Sequence, residues 1–221
     1  MKGYRGIILI ALAMAVSATA TANSRDQAQR IHNRLAGVPA DAATLTEMAQ
    51  LIDNNQVAEA AELAMDNPAF YNVTIKQFAT PWTNEAQDVF APLNDYTATI
   101  IGVVRDDVDF RRILYSDLLY VGNASPAASP SSNAHYQALE DQHADLSTVL
   151  TESSQASQYG TPAEAVAGVL TTRAAANAFF YAGTNRAMLR FTMMNHMCRD
   201  LEQVKDTTRP SDRIRQDVSR S

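Results

Sequence analysis

Apolar residues recur every three or four positions along most of the chain, which is the spacing of α-helices that bury one face. Between residues 24 and 80 the periodic stretches are separated by helix-ending or helix-starting residues: Gly37, the Asn54–Asn55 pair and the Asn67–Pro68 pair. The pattern therefore predicts four helices in this part of the chain, over 24–35, 41–53, 57–65 and 68–78.

The middle of the chain combines an irregular stretch with two predicted helices. Residues 80–92 lack periodicity and are predicted to be irregular. Residues 93–105 have few polar positions, which predicts a buried helix, although their β-branched side chains leave a strand as the alternative. An amphipathic helix is predicted over 110–120, and Gly122 ends it.

The second half of the chain begins with a loop rich in Ser, Pro and Ala, residues 123–132. After this loop, Asn133 is expected to cap a helix whose apolar positions continue as far as Leu150. Residues 153–160 are polar and are predicted to form no regular element.

Three further helices are predicted towards the end of the chain. The Thr161–Pro162 pair opens the first of them, with Glu164 completing a capping box. The next two cover 174–181 and 187–204, and residues 205–221 are charged and contribute few core positions.

Together these elements predict an all-α fold: an irregular multi-helix domain, not a bundle, with long loops. We expect the following segments: 1–22, a signal peptide; 23–122, an N-terminal helical subdomain; 123–160, a loop and an amphipathic helix; 161–204, the C-terminal helices; and 205–221, a charged tail that is incomplete.

The N-terminal end has the three parts of a secretory signal peptide. Lys2 and Arg5 precede an uncharged apolar run, and Ala20 and Ala22 stand at the −3 and −1 positions of an A-x-A cleavage site. The apolar run is shorter than the roughly 20 residues that span a bilayer. We therefore expect cleavage after Ala22 and a periplasmic or secreted protein with no stable membrane anchor.

Charge and cysteine content narrow the range of partners. The chain has a net charge of −6, and it is more acidic once Lys2 and Arg5 leave with the signal peptide. This argues against a nucleic-acid partner, which favours a basic face. Cys198 is the only cysteine, so disulfides within the chain are excluded. We expect a buried, inert thiol, and a disulfide with another chain is the alternative.

The candidate chemistry is sparse. The sequence contains no G-x-S-x-G, P-loop or H-E-x-x-H motif, and no catalytic residue is assigned; on its own the chain is not expected to be an enzyme. The four histidines lack the spacing of helical metal pairs. The acidic group Asp106, Asp107 and Asp109 lacks the spacing of a calcium loop and is expected to be a solvated helix end.

One group of residues is a weak candidate for cofactor binding. His196, Met197 and Cys198 are consecutive within a Met-rich helical stretch, and each residue type is a known axial ligand of haem iron. Methionines at helical spacing more often fill a core, which is the alternative. The chain has no C-x-x-C-H motif, so we expect no covalently attached haem and no metal site within it.

Three stretches resemble the Planctomycete-type cytochrome C associated families. Arg30–Ala40 (RIHNRLAGVPA) resembles their R-x-L-T-G-x-P-P opening, with Ala40 in place of the second Pro. Val104–Leu114 (VRDDVDFRRIL) is similar to their R-x-x-x-P-F-x-x-x-x-x-I-L helix pair, with Val108 in place of the Pro. Gly168–Ala174 (GVLTTRA) resembles the G-x-L-T segment, followed by Asn and Arg before a helix that ends near a Cys.

The resemblance implies an exported helical protein that carries a c-type haem motif after the part present here. On this basis the chain is expected to be truncated before its haem segment, and its helices to be the scaffold of a cytochrome-like electron-transfer protein, with a haem c module or redox partner. The alternative is an exported helical binding or structural module that uses no cofactor and contacts its partner through an exposed apolar patch.

Overall fold

The computed structural model describes residues 23–181 and 186–204. The predicted signal peptide and the predicted tail 205–221 therefore lie outside the described residues. The chain divides into two compact units, one ending at Met65 and the other beginning at Asp66. Among the described helices, none has the length and apolar character needed to cross a bilayer.

The first unit consists of the first three predicted helices, which are confirmed: α1 (Ser24–Leu35), α2 (Ala42–Asp53) and α3 (Val57–Met65). Local capping explains why these boundaries could be predicted, because the Asp41 side chain accepts the backbone N–H groups that open α2. Alanines let the three helices approach closely around one Met and one Ile. The buried residues of this core are Ala28, Met48, Ile52, Ala60 and Ala64.

The second unit begins with the predicted fourth helix, which has an unexpected first half. Residues Phe70–Ile75 form a π-helix that continues into α4 (Lys76–Ala79) and a 3₁₀ turn (Thr80–Thr83). The Asn67 side chain accepts the backbone N–H of Ala69 at 2.9 Å, as expected of a helix start.

At the centre of the second unit lies α5 (Asp95–Arg105), which confirms the predicted buried helix and excludes the strand alternative. Its first nine residues, Asp95 to Val103, are all buried. It packs against elements from both earlier and later parts of the unit, which is why it has no solvated face over most of its length.

The predicted helix 110–120 is wrong beyond its first turn. Phe110–Leu114 form a 3₁₀ helix, and the chain then extends into strand β1 (Leu119–Val121). Three consecutive residues, Leu118, Leu119 and Tyr120, are fully buried, which a helix with one solvated face does not allow. Tyr120 packs directly over Gly102 of α5, where a β-carbon would overlap its ring.

The partner of β1 lies between the predicted helix that reaches Leu150 and the predicted irregular segment 153–160, and it overlaps that segment only at Ser153. Strand β2 (Thr151–Ser153) pairs with it antiparallel, with Tyr120 opposite Glu152. The single predicted helix before β2 is two helices, α6 (Ala134–Asp141) and α7 (Leu146–Val149). His143, which has a φ of +51°, lies in the left-handed region between them and breaks the helix.

The capping predicted for Asn133 is wrong, because its side chain bonds to other elements. Its amide nitrogen donates to the Leu93 carbonyl at 2.8 Å, and its oxygen accepts from Arg173 at 2.8 Å. The Asn133 side chain makes no capping bond at the start of α6, where the Ser132 hydroxyl accepts the Ala134 N–H at 3.2 Å. Asn133 therefore ties α6 to neighbouring elements.

Two further predictions for the second half need correction. After β2 the chain forms α8 (Gln155–Tyr159), started by a Ser154 cap and ended by Gly160 in the left-handed region. The helix predicted from Thr161 is only a three-residue 3₁₀ turn (Ala163–Ala165) without a side-chain cap.

The last elements confirm the predicted helical character with different boundaries. A 3₁₀ turn (Gly168–Thr171) precedes α9 (Arg173–Ala175), which continues as a π-helix (Ala176–Tyr181). The predicted helix 187–204 is divided into α10 (Ala187–Met197) and α11 (Leu201–Val204). The described chain is thus mostly helical and irregular, as predicted, with a two-stranded sheet that was not predicted.

Candidate functional site

A buried carboxylate joins two helix starts in the second unit. Asp95, at the start of α5, is fully buried. Its Oδ1 accepts the backbone N–H of Ala174 at 3.0 Å, and its Oδ2 accepts that of Arg173 at 2.6 Å and the Tyr159 hydroxyl at 3.0 Å. These bonds satisfy the otherwise unpaired N–H groups at the start of α9.

Burial raises the pKa of Asp95, because removal from water disfavours the charged carboxylate. The hydrogen bonds from Ala174 and Arg173 and the positive charge of the Arg173 side chain act in the opposite direction. The same surroundings raise the pKa of Tyr159, through burial first and the nearby Asp95 second.

The Arg173 side chain leads from this network to the surface. One terminal nitrogen donates to Asn133 Oδ1 at 2.8 Å, whereas Nε is buried and has no hydrogen-bond partner in the described part of the chain. Buried donors are nearly always paired, so this one marks an incomplete polar environment.

A cavity of about 640 Å³ opens beside the guanidinium, and we call it the Arg173 cavity. One helical segment supplies Arg173, Asn177, Phe180 and Tyr181, and the loop before α6 supplies Pro130 and Ser131. Phe180 and Tyr181 are 66% and 72% exposed. The lining therefore combines one cation, small polar groups and two open aromatic rings.

His196 occupies a different place, within an aromatic cluster formed with Phe78, Trp82 and Tyr96. Its Nε2 shares a hydrogen bond of 2.9 Å with the Tyr96 hydroxyl, and its ring meets Trp82 edge to face at 5.6 Å. Phe78 packs on Trp82 at 4.9 Å and is 58% exposed. Burial lowers the pKa of His196 and favours its neutral form.

The three predicted ligand candidates do not converge on one point. Successive residues of a helix point about 100° apart, so His196 and Met197 face different directions. Met197 is 61% exposed, and Cys198, at the left-handed end of α10, is exposed rather than buried as predicted. The structure thus separates the histidine of the aromatic cluster from two surface sulfur groups.

The other predicted candidates are engaged in ordinary contacts. His32 bonds to the Val38 carbonyl, and His135 lies between the Gly122 amide and the Pro126 carbonyl. The side chains of these two histidines thus bond to backbone groups. Over the described ranges, no three His, Cys, Asp or Glu side chains are grouped to hold a metal ion.

In the acidic group Asp106, Asp107 and Asp109, two of the carboxylates form separate ion pairs. Asp106 binds Arg105 and accepts the Tyr120 hydroxyl, and these contacts, with the Arg105 bond first, lower its pKa. Asp109 binds Arg111 and caps the 3₁₀ helix that follows, which lowers its pKa to about 2. Both carboxylates have local structural roles.

Sequence reasoning missed Asp95, Arg173 and the cavity. A carboxylate directly before the apolar stretch of α5 was a usable signal, because a charge at the edge of a buried helix needs partners. Those partners are 78 and 79 residues further along the chain, and no local pattern connects them. The Arg173 cavity depends on the same long-range contacts.

Comparison with known proteins gives no match: no protein family, no curated protein and no solved structure is similar to this chain.

Proposed function

We propose that this chain is the exported helical scaffold of a c-type cytochrome-like electron-transfer protein, whose haem motif is encoded beyond residue 221. Export to the periplasm or outside the cell is part of the proposal and rests on the signal-peptide pattern of residues 1–22. The chain itself contributes packing and a docking surface, with no catalytic step of its own.

The observation that carries this proposal is a contact between two of the stretches that carry the family resemblance. Gly168 has a φ of +52°, which favours glycine, and a β-carbon there would overlap the Ile113 carbonyl group. The G-x-L-T glycine therefore lies directly against the I-L end of the second stretch. Such a close backbone approach gives a physical reason for both motifs to occur together.

His196, Met197 and Cys198 do not fit the role of a joint axial ligand set. They point in different directions, and His196 Nε2 is already bonded to Tyr96. We therefore assign them no haem-ligating role. What α10 offers instead is a surface: Leu189, Met193 and Met197 recur every four residues on one side, and Leu189 and Met197 are more than half exposed.

This surface supports docking of a redox module. Methionine and aromatic side chains are enriched in the cores of protein interfaces. Asn195 anchors α10 by donating to the Trp82 carbonyl at 3.2 Å, next to the aromatic cluster with its exposed Phe78. A haem c module would pack on these side chains, while its own segment would bind the haem.

The test is to extend the gene past codon 221 and co-express the longer protein with a cytochrome c maturation system. We expect a C-x-x-C-H motif and a Soret band, and a colourless variant when both motif cysteines are replaced by alanine. A reading frame without the motif, or a colourless longer protein, would contradict the proposal. Export is checked separately, by N-terminal sequencing, where a mature chain starting at Asn23 is expected.

A second candidate function is an exported binding or structural module that uses no cofactor. The observation that favours it is the number of large apolar side chains left open to solvent, such as Phe90 at 83% and Tyr115 at 63% exposure. In this case the protein unfolds cooperatively without haem. A molten state, in which the amides of α10 exchange freely with solvent, would contradict it.

A further inference from the structure

We propose that the Arg173 cavity binds a small organic carboxylate that carries a planar apolar group. This goes beyond both candidate functions, because it requires neither a haem nor a protein partner. The cavity volume of about 640 Å³ lies within the roughly 300–1,000 Å³ range of small-molecule sites.

The charge of the lining selects an anion. Among the described residues, Arg173 is the charged member of the lining, and the lining contains no carboxylate. Asp95, whose carboxyl interacts with the Arg173 charge, is buried in the core and already accepts the backbone N–H groups of Arg173 and Ala174.

The Arg173 guanidinium has N–H donors that can bond to a ligand. A guanidinium has five N–H donors, and the described residues accept one hydrogen bond from it, at Asn133 Oδ1. A single planar guanidinium matches the two oxygens of a carboxylate. A phosphate carries more charge and usually draws on several cations or backbone amides, so the carboxylate is the better match.

The apolar part of the ligand is indicated by the aromatic rim. Phe180, which is 66% exposed, lines the cavity together with Tyr181, and Pro130 adds an apolar ring from the loop before α6. Both aromatic residues belong to the π-helix Ala176–Tyr181, and π-helical segments frequently occur at functional sites. A planar ring stacks favourably on such side chains.

A second cavity in the same unit, of about 170 Å³, provides a comparison, because its polar lining groups are bonded to each other or to the backbone. It is lined by Lys76 and Glu140, which pair with each other, and by Asn72, whose amide bonds to the backbone of Ala144 and Leu146. The polar groups named there have partners, whereas in the Arg173 cavity Arg173 Nε has no hydrogen-bond partner among the described residues. The inference therefore applies to the Arg173 cavity.

The experiment measures binding of three probes to the purified protein by titration calorimetry and saturation-transfer NMR: 3-phenylpropanoate, its neutral amide and phenyl phosphate. We expect the carboxylate to bind, and the amide to bind at least about tenfold more weakly, because a hydrogen-bonded charge pair is lost. Equal binding of acid and amide, or tighter binding of phenyl phosphate, would overturn the proposal.

Variants locate the site. Arg173→Gln should weaken carboxylate binding about tenfold or more, and Phe180→Ala should weaken it severalfold. Arg111→Gln is the matched control, because this arginine is 85% exposed and pairs only with nearby Asp109. If Arg173→Gln fails to fold, Phe180→Ala still tests the site, since the ring is mostly solvated. Unchanged binding in Phe180→Ala or in folded Arg173→Gln would show that the site lies elsewhere.

Discussion

Asp95 and Arg173 are joined through a hydrogen bond of 2.6 Å from the Arg173 backbone N–H to the buried carboxylate, across 78 residues of sequence. With the matching bond from Ala174, this contact aligns the start of α9 with the start of α5. The carboxylate thus positions the helical segment that lines the Arg173 cavity.

We predict that Asp95→Asn lowers the free energy of unfolding by about 1–3 kcal/mol at pH 5, because an amide nitrogen cannot accept the N–H of Arg173 and leaves it buried without a partner. Asp141→Asn, an exposed substitution at the end of α6, should stay within about 0.5 kcal/mol of the parent. Urea unfolding measures both, and equal stability of the two variants would contradict the assignment.

Comparison of the parent protein with Asp95→Asn at different pH values tests the pKa of Asp95. Because burial raises this pKa, the folded protein keeps its proton at pH values where the unfolded chain has lost it. The stability that the group contributes is therefore complete below pH 3.8 and is lost as the pH rises through the folded-state value. We expect the stability difference between parent and Asp95→Asn to shrink from pH 4 to pH 7; a growing difference would contradict the raised pKa.

Gly102→Ala should destabilise the protein by about 2 kcal/mol, although alanine is the better helix former, because its methyl group would overlap the Tyr120 ring. Gly160→Ala is the comparison, since the space there is open and only the positive φ costs about 1 kcal/mol. In a Tyr120→Leu background the cost of Gly102→Ala should fall. A stabilising Gly102→Ala would show that the ring does not pack there.

His196 should titrate below 6.5 when its ring protons are followed by NMR, because burial disfavours the charged form. A lowered histidine pKa means that stability is lost as the pH falls through 6.5 towards the folded-state value. His196→Phe removes this part of the pH dependence. Tyr96→Phe removes the hydrogen bond but keeps the burial, so the low pKa should persist; a midpoint at or above 6.5 would contradict this account.

Cys198 should react with Ellman's reagent in the folded protein at one thiol per chain, because the side chain is exposed. Cys198→Ser supplies the blank, and unfolding in guanidinium should add no further thiol. A thiol that reacts only after unfolding would restore the original expectation of a buried cysteine.

The sequence predictions were accurate where an element is determined by contacts between residues close in sequence, and wrong where distant residues determine it. The start of the second helix was predicted to within one residue because Asp41 caps it locally, by accepting the backbone N–H of Ala43 two residues away. Strand β1 was missed because Tyr120 is buried by Gly102, a contact that no local pattern contains. Cys198 was misplaced because the left-handed residue that ends α10 is the cysteine itself, where no Gly or Pro signals a helix end.

The candidate site was less predictable than the fold. His196, Met197 and Cys198 were grouped because they are adjacent in sequence, yet adjacency in a helix directs side chains apart. Arg173 had no distinguishing neighbour in sequence. Its environment comes from Asp95 and Asn133, each at least 40 residues away.

The burial of α5 affects the order in which the second unit can fold during synthesis. Synthesis proceeds from the N-terminus, and the groups that bond to the first two residues of this helix, Arg173, Ala174 and His196, are made late. Until they emerge, the Asp95 carboxylate and the Tyr96 hydroxyl lack these partners, and long-range closure of this kind is slow. The segment from residue 173 onwards is therefore needed to complete the second unit, and we expect a nascent chain that ends before it to leave the start of α5 partly unpaired.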